Sequence, residues 1–406
     1  MSAVSESDPP LSARFPLANT IHRLSLRLVA AQRSIRPLEA VGWDDEIEHR
    51  FLRDQGRELP AVTRDTYRFR PLPFEPQRKL GELQDLERDI ALSLGSREGA
   101  GCILTRMCRE YASLVHMLTF RGTKTFVSIS AKLFGTAGDA EHGLSALAEL
   151  SRRFPPRFVH FRSVRNAEEA QQELAERLRP CFPEWPNLRI KLVDNLIADA
   201  AAGSSYLKLR RDGQFTIADL RLLEVHEGWV HLGTSYNSRA QGICAFLRKA
   251  PPSSTRTQEG LAVLTEFVAG VATAERVRRL AQRVQAIGMA EQGADFLQVF
   301  RFIRETEPDD REAYQQTARV FRGSLPAGCG PFTKDLCYVT GLGDLVEMLK
   351  DRRQAALLPL LFSGKTALAD LPLLADFERR GWLTRPKFLP AAFDNVGDLA
   401  ARVAAA

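Results

Sequence analysis

The chain has 406 residues, a formal net charge of +6 and 44% apolar residues, enough to build a sizeable core in one large domain or two. No run approaches the ~18 consecutive apolar residues of a membrane span, and Met1 to Pro10 lacks the apolar stretch of a signal peptide. Six cysteines without C-x-x-C spacing read as free thiols of a cytoplasmic protein.

In chain order, residues 1–12 are expected to be disordered and residues 13–120 to form a helical N-terminal region. That region contains the Arg-rich amphipathic stretch Ile21 to Ser34, proline-bearing loops at Leu59-Pro60 and Pro71 to Pro76, and a long buried helix from Gly101 to Phe120. Strand candidates follow at Lys124 to Ser130, Arg157 to Arg162 and Leu188 to Val193. Ser204 to Arg211 alternates weakly, Asp212-Gly213 signals a hairpin turn, and Gln214-Phe215-Thr216 reads as the returning strand. Residues 271–321 return to helix. The tail from Asp344 is helical, with breaks at Gly364 and Pro372. The expected fold class is α+β, mostly helical with a small mixed sheet. Its core would span 121–345, with a helical region, 346–406, packed on it.

The most informative segment is His226-Glu227-Gly228-Trp229-Val230-His231, in a chain with only seven histidines. It reads H-E-x-x-x-H, one residue longer than the H-E-x-x-H of zinc peptidases. Thr216 is placed to cap the helix leading into it, with Asp219 in a near capping box and Ile217, Leu220 and Leu223 on the apolar face. Zinc peptidases place a strand edge beside such a helix, where an extended peptide can pair. The spacing poses a geometric problem. Residues four apart on an α-helix differ by about 40° in direction, whereas residues five apart differ by about 140°. An i→i+5 π-bulge would realign the two imidazoles, or the helix could loosen at Gly228. Gly233 is a plausible terminator.

Downstream lies Gln258-Glu259-Gly260-Leu261-Ala262. Pro251 to Thr257 reads as a loop and Thr257 as the N-cap of a helix over 258–270, which puts Glu259 in the first turn. Two imidazoles and a carboxylate are the three protein ligands of a catalytic zinc site, whose fourth position holds water. A further carboxylate must take the proton from that water. Glu266, two turns on and on nearly the same face, is either the ligand in place of Glu259 or a partner of a ligand histidine.

These residues give the chain a resemblance to the QEGLA-motif proteins of bacteria, labelled as modulators of flavohaemoglobin expression, which are similar to the microtubule-associated tyrosine carboxypeptidases of animals. The resemblance runs over roughly residues 200–345. It rests on HEGWVH at 226–231, TSYNSRAQ at 234–241, QEGLA at 258–262 and FTKDLCYVTG at 332–341. It implies a zincin-like metallopeptidase core in which His226, His231 and Glu259 bind zinc and Glu227 is the base. The tubulin substrate of the animal enzymes is not carried over.

The expected function is therefore that of a zinc metallopeptidase, in the form of a carboxypeptidase acting on a peptide or protein tail. Recognition of a terminal carboxylate needs a cation, for which Arg239, Arg322 and Lys334 are candidates. Tyr338 is a candidate donor to the oxyanion. Two other readings stay open: a zinc-dependent amide hydrolase in a biosynthetic pathway, and a basic regulator that binds nucleic acid. The arginines are scattered, so neither nucleic acid nor a membrane is the expected partner. Two decoys stand apart. Ser363-Gly364-Lys365-Thr366 ends like a phosphate-binding loop, but Pro359 stands where the first glycine is needed. His142 is expected at the surface, in a loop.

Overall fold

The structure, a computed structural model, describes residues 16–404 apart from 98, 157–163, 186–187 and 195. The expectations for residues 1–12 and for a strand at Arg157 to Arg162 lie outside the described residues. The architecture is α+β: many helices and two small sheets.

The N-terminal amphipathic stretches form α1 (Pro16–Ala31), α2 (Asp45–Arg53), α3 (Pro76–Leu94) and α4 (Gly99–Thr119). Pro76 opens α3, where its fixed φ suits a first turn, and the Glu75 carboxylate accepts from the Gln77 and Arg78 amides. The strand candidate at Lys124 to Ser130 is instead helical, within α5 (Lys124–Phe134). Its β-branched and aromatic residues suggested a strand. The Thr123 cap and the burial of Phe126, Ser130 and Phe134, each four residues apart, give it a helical period. α6 (Glu141–Arg153) follows. His142 lies in its first turn rather than in a loop, with its side chain exposed and its Nε2 3.2 Å from Asp344 Oδ1.

β1 (Val164–Arg165) and α7 (Ala167–Leu178) precede β2 (Arg189–Val193), β3 (Ala200–Ala202), β4 (Tyr206–Arg210) and β5 (Phe215–Thr216). The expected 204–216 hairpin does not form. β4 lies between β2, which is parallel, and β3, which is antiparallel, while β5 pairs with β1 in a separate sheet. The Asp212-Gly213 turn closes by a Gly213 N–H bond to Arg210 O, but Gly213 is not among the positive-φ glycines that a tight two-residue hairpin uses. The turn therefore passes the chain from one sheet to the other. β3 is left as an edge strand.

After β5 come α8 (Ile217–Leu223), a π-helical segment (Glu224–Leu232) and α9 (Gly233–Arg239) in one continuous run. α10 (Pro252–Val268), α11 (Ala274–Glu291), α12 (Phe296–Arg304) and α13 (Asp310–Phe321) fill the middle of the chain. α14 (Cys337–Lys350), α15 (Leu371–Arg379) and α16 (Val396–Ala404) complete it. Gly364 ends a 3-10 turn as expected, but Pro372 sits inside the first turn of α15 and starts the helix instead of breaking it. One large core joins the N-terminal helices to α10 and α14, and a smaller core lies between α7, the three-stranded sheet and α8. The π segment contributes Val230 to the first and Leu232 to the second, so it lies between them. No single described helix is long and apolar enough to cross a membrane.

Candidate active site

The spacing problem of the H-E-x-x-x-H segment is resolved by the backbone. Thr216 caps α8 in a capping box with Asp219, and the helix then shifts to i→i+5 bonding over Glu224–Leu232. Residues five apart are thereby brought to one face. The rings of His226 and His231 stand 4.9 Å apart, nearly perpendicular. Gly228 does not loosen the helix. It admits Leu178 of α7, whose Cδ2 lies 2.3 Å from where a Cβ would be. Gly233 does not terminate it either, because its φ of −58° continues into α9.

Glu259 arrives from α10. That helix begins at Pro252, not at Gln258, so Glu259 lies two turns in and is buried rather than in a solvated first turn. Gly260 explains the close approach of the neighbouring helix: a Cβ there would lie 2.1 Å from the carbonyl carbon of Gly341 on α14. This contact brings Lys334, just before α14, and Tyr338, in its first turn, to the same site. Lys334 Nζ is 3.3 Å from Glu259 Oε1, and the Tyr338 ring stacks on His226 at 6.0 Å.

The donor atoms converge. Glu259 Oε2 is 3.5 Å from both His226 Nε2 and His231 Nε2, and one ligand atom from each of the three residues lies within 4.8 Å of the others. Glu259 Oε2 is buried and has no hydrogen-bond partner of its own. An orphaned carboxylate oxygen facing two imidazole nitrogens fits a divalent cation, and a His, His, Glu set with oxygen and nitrogen donors suits zinc. Glu266 is not part of this cluster. It accepts from His226 Nδ1 at 2.7 Å and is gripped by Arg276 through Nε at 3.0 Å and a terminal nitrogen at 2.9 Å. This leaves His226 Nε2 free to face Glu259.

The electrostatics point the same way. Burial alone would lower the His226 pKa, but the carboxylates of Glu259, Glu266 and Glu227 outweigh it and push it up to about 9. The field thus favours positive charge at His226, whether a proton or a metal. Burial raises Glu259, yet Lys334 and the two imidazoles hold it well below the usual carboxylate range. Glu227 stands to one side, 4.0 Å from His226 Nε2, and its Oε2 accepts the Ala202 N–H at 2.7 Å. β3, not the expected hairpin, is therefore the strand edge beside the motif helix, and it fixes the rotamer of Glu227.

A cavity of about 980 Å³ opens over these groups. Glu227, His231, Glu259 and Tyr338 line it together with β3, Lys334, Arg319 and Arg322. Arg322 is buried, with an unpartnered Nε and Asp335 Oδ1 3.7 Å away. Arg239 is not brought there: it stacks on Trp185 at 4.4 Å and donates to Ser204 O. Arg319, which sequence reasoning missed, lies in the last turn of α13 and bonds Asp335 Oδ2 at 2.6 Å, and Arg322, three residues on, is the C-cap of that helix. That spacing was readable. The roles of Ala202 N–H and Arg276 carried no local signal.

A cleft holding two imidazoles, a carboxylate between them and a separate carboxylate held by a strand edge has the outline of a hydrolase site. A family model described as "Microtubule-associated tyrosine carboxypeptidase" matches residues 49–406, and the chain belongs to that family. No curated protein matches the chain.

Proposed function

We propose that the chain is a zinc metallopeptidase of zincin-like core that removes the C-terminal residue from a peptide or protein tail. The convergence of His226, His231 and Glu259 donors within 4.8 Å of one another, with His231 and Glu259 lining the cleft, carries this reading. The carboxypeptidase named in the family description supports the choice of bond.

His226, His231 and Glu259 would hold the ion. Bound there, zinc would polarise the scissile carbonyl and lower the pKa of a water to about 7. Glu227 takes the proton of that water on Oε1, since Oε2 is occupied by Ala202, and returns it to the leaving amine. Tyr338 is held protonated, because burial and Glu259 push its phenol up, and it can donate to the developing oxyanion. β3 offers the outward backbone groups of Ala200 to an extended substrate. Arg322, with Arg319 beside it, receives the substrate's terminal carboxylate in its planar fork. Lys334 is already engaged by Glu259 and balances that charge instead.

A random peptide library incubated with the zinc-loaded protein and read by mass spectrometry tests the reading. Loss of one C-terminal residue, abolished by a chelator and restored by zinc, is the expected result. Internal cuts would replace the carboxypeptidase with an endopeptidase. An untouched library would favour a hydrolase of small amides.

A further inference from the structure

The loop Ser363 to Thr366, which lacks the first glycine of a nucleotide loop, lies behind the site. It is held to the motif run and its surroundings. Asn237 Nδ2 donates to Phe362 O at 2.8 Å, Gln241 Nε2 to Ser363 O at 3.3 Å, and Lys365 N to Leu247 O at 2.7 Å. A Cβ on Gly364 would come within 2.7 Å of Leu247 Cβ, so only glycine lets the loop sit this close.

The loop presents one side chain to the site. Lys365 Nζ donates to His231 O at 2.9 Å, to Thr234 Oγ1 at 2.9 Å and to Gln258 Oε1 at 3.1 Å. All three protons of the ammonium are thus spent on neutral acceptors. Among the described residues no carboxylate pairs with it at ion-pair distance. Burial pulls its pKa down to about 8, and the negative charges of Glu259 and Glu227 across the site act against that fall.

The three acceptors are not arbitrary. His231 O is the main-chain carbonyl of one metal-binding residue, at the end of the π segment. Gln258 directly precedes another, Glu259, on α10. Thr234 Oγ1 joins the two, since it also lies 2.8 Å from Gln258 Oε1. The ligand helices meet face to face here, and Lys365 is the peg between them. We propose that Lys365 is a positioning residue that sets the separation of His231 from Glu259 and thereby the affinity of the site for zinc, an inference that rests on the zinc reading above. Partners outside the ligand set typically change metal affinity ten- to a hundredfold.

The test compares wild type with K365M, Q258M and the double variant. Zinc dissociation constants come from competition with a chromogenic chelator, and unfolding temperatures from the metal-free proteins. K365M and Q258M should each bind zinc at least about tenfold more weakly, and the double variant no more weakly than the weaker single, because both break one bridge. A purely structural lysine would lower the unfolding temperature and leave the zinc constant unchanged, which overturns the proposal. Strictly additive losses overturn it too. Should K365M not fold, Q258M decides by the same comparison. A wild-type protein that binds no zinc overturns the metal reading itself, whereas tight wild-type binding with unchanged variants overturns only the role of Lys365.

Discussion

Glu266 Oε1 accepts a hydrogen bond from His226 Nδ1 at 2.7 Å, and Glu266 is fully buried. The bond keeps a proton on Nδ1, so Nε2 is the nitrogen that would give its lone pair to a metal. Arg276 completes the relay by gripping the same carboxylate. E266Q keeps the size of the side chain but leaves Arg276 without its counter-charge. It should bind zinc ten- to a hundredfold more weakly. It should also lose about 3–5 kcal/mol of stability, as when one member of a buried pair is removed. Isothermal titration and chemical denaturation read the two effects separately, and a variant with wild-type zinc affinity would remove Glu266 from the metal site.

The same carboxylate gives a pH dependence. Burial raises its pKa, but Arg276 and His226 outweigh burial and bring it down to about 2. A folded pKa below the unfolded value, about 4.3, means that its contribution is complete above that value and is lost as pH falls toward the folded pKa. The stability gap between wild type and E266Q should therefore be complete at pH 5, below the range in which His226 titrates in the unfolded chain, and narrow between about pH 4 and 2. A gap that holds its full size down to pH 2.5 would show that Glu266 is not held ionised.

Much of this site was legible because its motif is local. His226, Glu227 and His231 fall within six residues, and a five-residue spacing cannot serve one ion from a regular α-helix, so the π-bulge is implicit in the spacing itself. The capping box at Thr216 is equally local. What failed depended on distant partners. Residues 204–216 carry a hairpin's signals, yet β4 finds β2 and β3, and β5 finds β1. Lys124 to Ser130 has a strand's composition, but its burial follows a helical period set by what packs on it. Arg239 and Arg322 look alike in sequence. Only the fold puts Arg322 in the cleft and Arg239 on Trp185.

Gly260 and Gly341 set how close α10 and α14 can come. G260A would drive a methyl group into backbone, 2.1 Å from the Gly341 carbonyl carbon, which no rotamer can relieve. Overpacking of this kind costs about 1–3 kcal/mol, occasionally more, and the upper end is expected here. G242A is the control, since a Cβ there meets nothing within 4 Å, and it should change stability by no more than about 0.5 kcal/mol. Thermal unfolding of the two variants side by side is the measurement. Equal melting temperatures would contradict the helix contact.

E227Q separates base from ligand. The amide oxygen of Gln can still accept the Ala202 N–H, so the side chain should keep its place. Zinc should remain bound, and the rate should fall at least about 10²-fold, the usual contribution of a positioned general base. Zinc content by atomic emission and initial rates on a cleaved peptide settle the matter. Full activity would rule out Glu227 as the base, and loss of zinc would make it a ligand.

Recognition of the free C-terminus follows from Arg322. The residue is buried, lines the cleft, and has an unpartnered Nε. Arg319 keeps Asp335 paired at 2.6 Å, so R322M should fold. Amidating the substrate removes the charge that Arg322 would meet. Losing one partner of a desolvated charge pair costs about 2–5 kcal/mol, so wild-type kcat/KM should fall well over tenfold on the amidated peptide. R322M should be slow on both peptides and hardly distinguish them. If wild type cuts amidated and free peptides equally, the carboxypeptidase reading fails while the zinc hydrolase survives. If wild type discriminates and R322M discriminates just as well, the carboxylate is held elsewhere in the cleft, and R319M becomes the variant to compare.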